Sequence, residues 1–280
     1  MVALSWVAAL VACLGYGVGS VLQSIGARRT AHVAGVTGVA LIVLQLPYLL
    51  GLACDGLAFL ANVVALQELP LFLVQSVVTA SVGVTAIIAS IRGERLSRMS
   101  WISLAVLGGG LVLLSLTADA ETAVRVSTVS QWVILASAVL PIAVGLAGLR
   151  LPLSDHWSAL VLASAAGLAW TGVAVASRGI GADPIDLALL GQPLVWTIVV
   201  QGVIGTLFFA VALQRGPVTS VTAVTFVLEM VIPSAIGLLL FDDSVERGTG
   251  PIALLGFALA MGGTIALMRF ADEGRLQPGF

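Results

Sequence analysis

Two carboxylic acids, Asp55 and Glu229, stand deep inside long apolar runs, where a charge has no ordinary place. If those runs cross a bilayer, each charge costs about 3 kcal/mol at the membrane centre on insertion scales. Such a residue faces a polar cavity, finds a partner or carries a proton. Glu229 lies four residues before Pro233. Proline has no N–H, so the Glu229 carbonyl loses its helical donor. Thr222 and Thr225 precede Glu229 on the same helical face. Two hydroxyls, a carboxyl and a free carbonyl suit a proton or a hard cation. The plainer alternative is a protonated Glu bonded to a neighbouring helix, with Pro233 as a kink. Asp55 shares a face with Phe59 and Asn62. It reads as a cation or proton site with Asn62 as a second oxygen donor, or as an interfacial residue if the preceding stretch crosses. Tyr16 and Trp170 sit among small residues, Gly15, Gly17 and Gly19 in one case and Ala169 and Gly172 in the other. They either line a cavity and touch an organic or cationic solute, or pack as core or interfacial aromatics.

Other chemistry is thin. Gln23, Gln67, Gln75, Gln201 and Gln214 fit interhelical hydrogen bonding better than solute binding. Cys13 and Cys54 lie in apolar runs and read as small core residues. His32 and His156 fall in loops away from other donors, so no metal set is evident. The chain has no Lys, which excludes a Walker-type phosphate loop. Neither His-Glu-x-x-His nor Gly-x-Ser-x-Gly occurs. The expectation is a protein that is not an enzyme and needs no cofactor.

The elements that position these residues follow from composition. Of 280 residues, 59% are apolar and 9% charged, with mean hydropathy +1.13. A soluble domain is about a quarter charged, and nucleic-acid binding needs basic charge this chain lacks. The long continuous runs predict an all-α polytopic membrane protein, not a barrel. Nine spans are expected: Ala3–Ile25, Pro47–Leu69, Leu71–Ile91, Trp101–Leu116, Val129–Leu149, Ser158–Ala176, Leu194–Leu213, Val218–Leu240 and Pro251–Met268. The first reads as a retained span, not a signal peptide. A tenth arises if Ala34–Leu46 crosses. Without it, Arg28, Arg29, Arg92, Arg95, Arg98, Arg150, Arg215, Arg269 and Arg275 share one face, against Arg125, Arg178 and Arg247. With it the split falls to seven against five. Positive charge gathers on the cytoplasmic side, so the uncrossed reading is preferred, with the carboxyl terminus in the cytoplasm of a cell inner (plasma) membrane.

An internal repeat organises the spans. Val64-Ala65-Leu66-Gln67-Glu68-Leu69-Pro70 recurs as Val211-Ala212-Leu213-Gln214-Arg215-Gly216-Pro217. Pro47 matches Pro193, Tyr16 matches Trp170, and Gly108-Gly109-Gly110 matches Gly262-Gly263. The glycine runs read as close helix packing, and Pro141 as a kink. Residues 1–118 form a first four-span unit, 119–153 a linker with one span, and 154–280 a second four-span unit. An odd number of spans between the copies inverts one relative to the other, which is a transporter architecture with a site near the midplane.

Ala65 through Pro70, Gln75-Ser76, the Gly93-Glu94-Arg95-Leu96 turn, Trp101 and the Gly108-Gly109-Gly110 span carry a family likeness. The arrangement resembles the drug/metabolite transporter (DMT, EamA) superfamily, closest in layout to its NIPA-like magnesium transporter branch. Ala58-Phe59 stand where the NIPA pattern has Gly-Glu, and Asp242-Asp243-Ser244 ends the second unit without an acidic-Arg-Leu turn. The resemblance implies secondary transport of a small solute by alternating access, coupled to protons or a cation. Divalent cation (Mg²⁺) transport is the alternative. A non-transporting integral membrane scaffold or assembly protein is the rival of another class. The expected partners are the lipid bilayer and a small solute or cation, with a homodimer left open and no nucleic acid.

Overall fold

The computed structural model describes residues 2–29, 45–91, 97–118, 126–180, 190–215, 218–240, 245–246 and 248–275. Eleven helices lie within them: α1 (Val2–Arg29), α2 (Leu46–Ala65), α3 (Leu71–Thr79), α4 (Ser81–Ile91), α5 (Arg98–Thr117), α6 (Thr128–Ala136), α7 (Val139–Arg150), α8 (Asp155–Ile180), α9 (Pro193–Arg215), α10 (Val218–Leu240) and α11 (Gly250–Arg275). One isolated antiparallel bridge, Ala118 to Val245, is the β-type pairing among them. Eight segments are long and apolar enough to cross a membrane, with α3–α4 and α6–α7 each counting as one, and α10 adds a shorter apolar stretch at Val224–Leu239. The chain is an all-α, multi-pass membrane protein.

The helix ends follow their local chemistry. Ser97 and Ser127 cap α5 and α6 by accepting from the N–H groups of Ser100 (3.1 Å) and Ser130 (3.2 Å). Pro47 opens α2, where its missing donor costs nothing. Two expected spans are broken. Leu71–Ile91 divides at Ala80, just after Ser76 and Thr79 turn their hydroxyls back onto the carbonyls of Phe72 (2.7 Å) and Gln75 (2.8 Å). Such back-bonding competes with the helical ladder and bends it. Val129–Leu149 divides at Ser137–Ala138. Ser137 is the residue whose carbonyl the Pro141 ring displaces. Pro233, by contrast, lies within an unbroken α10. Of the stretch 34–46, all but Gln45 and Leu46 lies outside the described residues.

α3 is the axis of the bundle, apolar nearly all round and buried from Leu71 to Val77. It shares the main core with Ala9 and Cys13 of α1, Leu107 and Leu114 of α5, Val175 of α8, Met230 of α10 and Ala260 of α11. Around it, α1 packs on α2 and α4, α8 on α9 and α10, and α5 on α11. The α5–α11 contact is backbone-close. A Cβ on Gly110 would stand 2.4 Å from Ala260 N, and one on Gly263 would stand 2.6 Å from Leu107 N. Gly108, Gly109 and Gly262, read as packing residues, instead face open space. α8 spans about 39 Å at 1.5 Å per residue over its 26 residues, so it fixes the two ends of the molecule. At its start, Arg215 donates to Ser158 Oγ (2.6 Å) and Gly148 O (3.3 Å). At its finish lies Arg178.

Candidate functional site

Asp55 is held in the seam between α1 and α2. Gly15, Gly19 and Gly26 on α1 face Ala58, Gly51 and Tyr48 on α2. Small residues at such spacing let the two backbones approach closely. At Gly19 the space a Cβ would take is filled by Asp55. The added atom would stand 2.2 Å from Asp55 Oδ1 and 3.0 Å from Gly51 O. Gln23, one turn along α1, donates from Nε2 to Asp55 Oδ2. The half-buried carboxyl therefore has one oxygen bonded and the other pressed on the α1 backbone. Gln23 was read as a general interhelical bonder, and this is its specific partner.

Glu229 enters from α10, half-buried. The helix carrying it leans on α8 and on the α3 axis. Tyr16 stands half-buried on α1, one turn before Gly19. Two of the residues expected to carry chemistry, Tyr16 and Asp55, thus belong to the packed pair α1–α2, and Glu229 belongs to α10. Oxygen donors of this kind can bind a proton or a hard cation.

The remaining expected residues fall elsewhere. Thr225 is fully buried at the crossing of α8 and α10, its hydroxyl shared between Val221 O (2.9 Å) and Ala163 O (3.2 Å). Thr171 makes the reciprocal bridge, to Gly167 O (2.9 Å) and Leu228 O (3.4 Å). The side chain of Thr222 lies outside the described residues. Asn62 is buried two turns from Asp55, and its Oδ1 has no hydrogen-bond partner among the described residues. Trp170 packs on Phe209, ring centroids 5.2 Å apart. Its indole occupies the place of a Cβ at Gly205, 2.5 Å from Nε1.

The second half has a seam like the first. Gly172 of α8 leaves a notch that Gln201 of α9 fills, its Oε1 standing 2.0 Å from where a Cβ would be. Gln201 Nε2 donates onward to Ser137 Oγ (3.2 Å) and Ile134 O (3.3 Å) on the α6 side. An amide occupies here the kind of notch that holds a carboxyl in the first half.

Arg178 was read as a loop charge closing a span at Ala176. α8 instead continues to Ile180, and Arg178 is wholly buried. Its Nη1 donates to Leu66 O (2.5 Å) and Leu69 O (3.0 Å) in the turn between α2 and α3. The signal was present in Ser177-Arg178-Gly179-Ile180, a lone cation among small and apolar neighbours.

A cleft of about 280 Å³ opens between α8, α10 and α11, lined by Ser164, Val224, Val227, Leu228 and Ile265. Its walls are apolar apart from Ser164, and Glu229 is not on them. Among the described residues no three His, Cys, Asp or Glu side chains converge. Comparison with family models, curated proteins and solved structures finds no match to the chain.

Proposed function

We propose that this protein is a secondary transporter of the drug/metabolite type. It moves a small solute across the cell inner membrane by alternating access, with a proton or cation as the coupling species. The observation that carries this reading is the Asp55 carboxyl set into the Gly19 notch of the apolar α1–α2 seam, where Gln23 donates to it. A second carboxyl comes from the second half, Glu229, half-buried on α10. An ionisable group in each half is what a carrier needs in order to bind on one side and release on the other.

The helix pairings support a nine-span inverted repeat, with α10 as the ninth span. α1 lies on α2 and α4, as α8 lies on α9 and α10. The last helices of the halves, α5 and α11, meet each other, as do α3 and α10. The Gly19–Asp55 and Gly172–Gln201 notches repeat one device. The register is one residue off, since pairing Val64 with Val211 sets Asp55 against Gly202. The arginine distribution supports a cytoplasmic carboxyl terminus, which puts the Arg178 end on the outer side.

The test is charge movement by proteoliposomes on a sensor surface, after rapid addition of Mg²⁺, guanidinium-like cations, amino acids or nucleobases. The expected result is a solute-dependent current that Glu229→Gln or Asp55→Asn abolishes. Silence across the panel, with both variants folded, would favour a membrane scaffold and overturn the proposal.

A further inference from the structure

We propose that Arg178 is the latch that closes the outer side of the transport pathway, clamping α8 of the second half onto the turn that ends α2 of the first. The guanidinium is wholly buried, and it donates to the carbonyls of Leu66 and Leu69. They lie where α2 has run out of intrahelical donors and where the helix dipole is negative. The turn is largely apolar, with Gln67 and Glu68 half-buried in it. Leu66, Leu69, Pro70 and Leu71 are all buried. The next residue, Gly179, comes so close to Leu194 and Val126 that a Cβ there would stand 2.9 and 3.1 Å from their side chains. The clamp is thus continuous with the packing of α9 and the approach to the linker.

A buried guanidinium is stable only while its hydrogen bonds are kept, because desolvation of the charge is not otherwise offset. α2 carries Asp55, and α8 supports α10, which carries Glu229. Any motion that parts these helices at the Arg178 end must break both bonds at once. At the opposite end Arg215 binds Gly148 and Ser158, which joins the second half to the linker and not to the first half. Among the described residues, the arginine bonded across the two halves is Arg178, at one end, as a gate requires.

This inference rests on the alternating-access reading, but its test uses no solute, so either can fail alone. Cys13 lies buried on α1, one turn from Tyr16. In a Cys54→Ser background it is the sole thiol, and a membrane-impermeant cationic methanethiosulfonate reports water access to it. Outer-face labelling should be about tenfold faster in Arg178→Gln than in the parent, equivalent to removing ~1.4 kcal/mol from the opening step. Inner-face labelling should not change, and Arg178→Lys should fall between the two. Equal outer-face rates in parent and Arg178→Gln overturn the proposal. So does a rise of equal size on both faces, which a loosened fold would give. If Arg178→Gln cannot be extracted folded, Arg178→Lys decides. Faster labelling confined to the outer face supports the latch, and an unchanged rate overturns it.

Discussion

Gly109 and Gly110 are adjacent, identical and mid-helix, yet alanine should act oppositely at the two sites. At Gly109 the new methyl meets nothing within 4 Å. The substitution there should gain helix propensity, up to about 1 kcal/mol. At Gly110 the methyl would lie 2.4 Å from Ala260 N, 2.6 Å from Gly256 O and 3.0 Å from Ala260 Cα. All three are backbone atoms of α11, so no rotamer change relieves the contact. Ordinary contact begins at 3.4 Å, so α5 and α11 must part by about 1 Å. A gap of that size forfeits a quarter to a half of the dispersion attraction along the seam. Overpacking of this kind costs about 1–3 kcal/mol. The propensity gain is common to both variants and cancels between them, so Gly110→Ala should be less stable than Gly109→Ala by that packing cost. Unfolding in mixed micelles titrated with sodium dodecyl sulfate measures it. Coincident midpoints, or a more stable Gly110→Ala, would refute the claim that the α5–α11 seam is held at backbone contact.

Three other substitutions probe the site. Gln23→Ala removes the donor to Asp55 and should destabilise by about 1.5–3 kcal/mol if the acceptor is ionised, less if it is neutral; repeating the unfolding with Asp55→Asn and the double variant isolates the coupling. Gly172→Ala should expel Gln201 from its notch and break its bonds to Ser137 and Ile134, for a loss of about 1–3 kcal/mol; a stability equal to the parent's would show that the seam can open freely. Thr225→Val keeps the shape and removes the hydroxyl bridge to Ala163, so it should cost about 0.5–1.5 kcal/mol and leave solute-driven current intact. A current lost in that variant at unchanged stability would return Thr225 to the binding site.

The spans were legible because hydropathy and length decide them, and eight of the expected nine satisfy both criteria in the structure. The break at Ala80 was not, since it follows from where two hydroxyls turn, and Ser and Thr bond equally well to water, backbone or solute. Tyr16, Asp55 and Glu229 could be chosen by the cost of polar groups in lipid. The partner of Asp55 could not, because Gln23 reaches it only when α1 lies against α2. Thr225 misled for a related reason. Helical spacing aligned it with Glu229, but its hydroxyl is taken up by Ala163 O of α8 and by Val221 O. Arg178 was missed because an arginine after an apolar run normally marks a loop. Only the long-range pairing with Leu66 and Leu69 reveals a charge drawn inward.

The α5–α11 seam also bears on how the molecule is made. α5 emerges from synthesis long before α11, yet its main partner is α11, the last of the described helices. Until then the groove at Gly110 must face lipid or a chaperoning partner, with its glycine backbone uncovered. The first half therefore cannot reach its final packing during its own insertion. A nascent chain halted before Gly250 would carry every earlier described helix and still hold an open seam, which makes insertion of α11 the step that closes it.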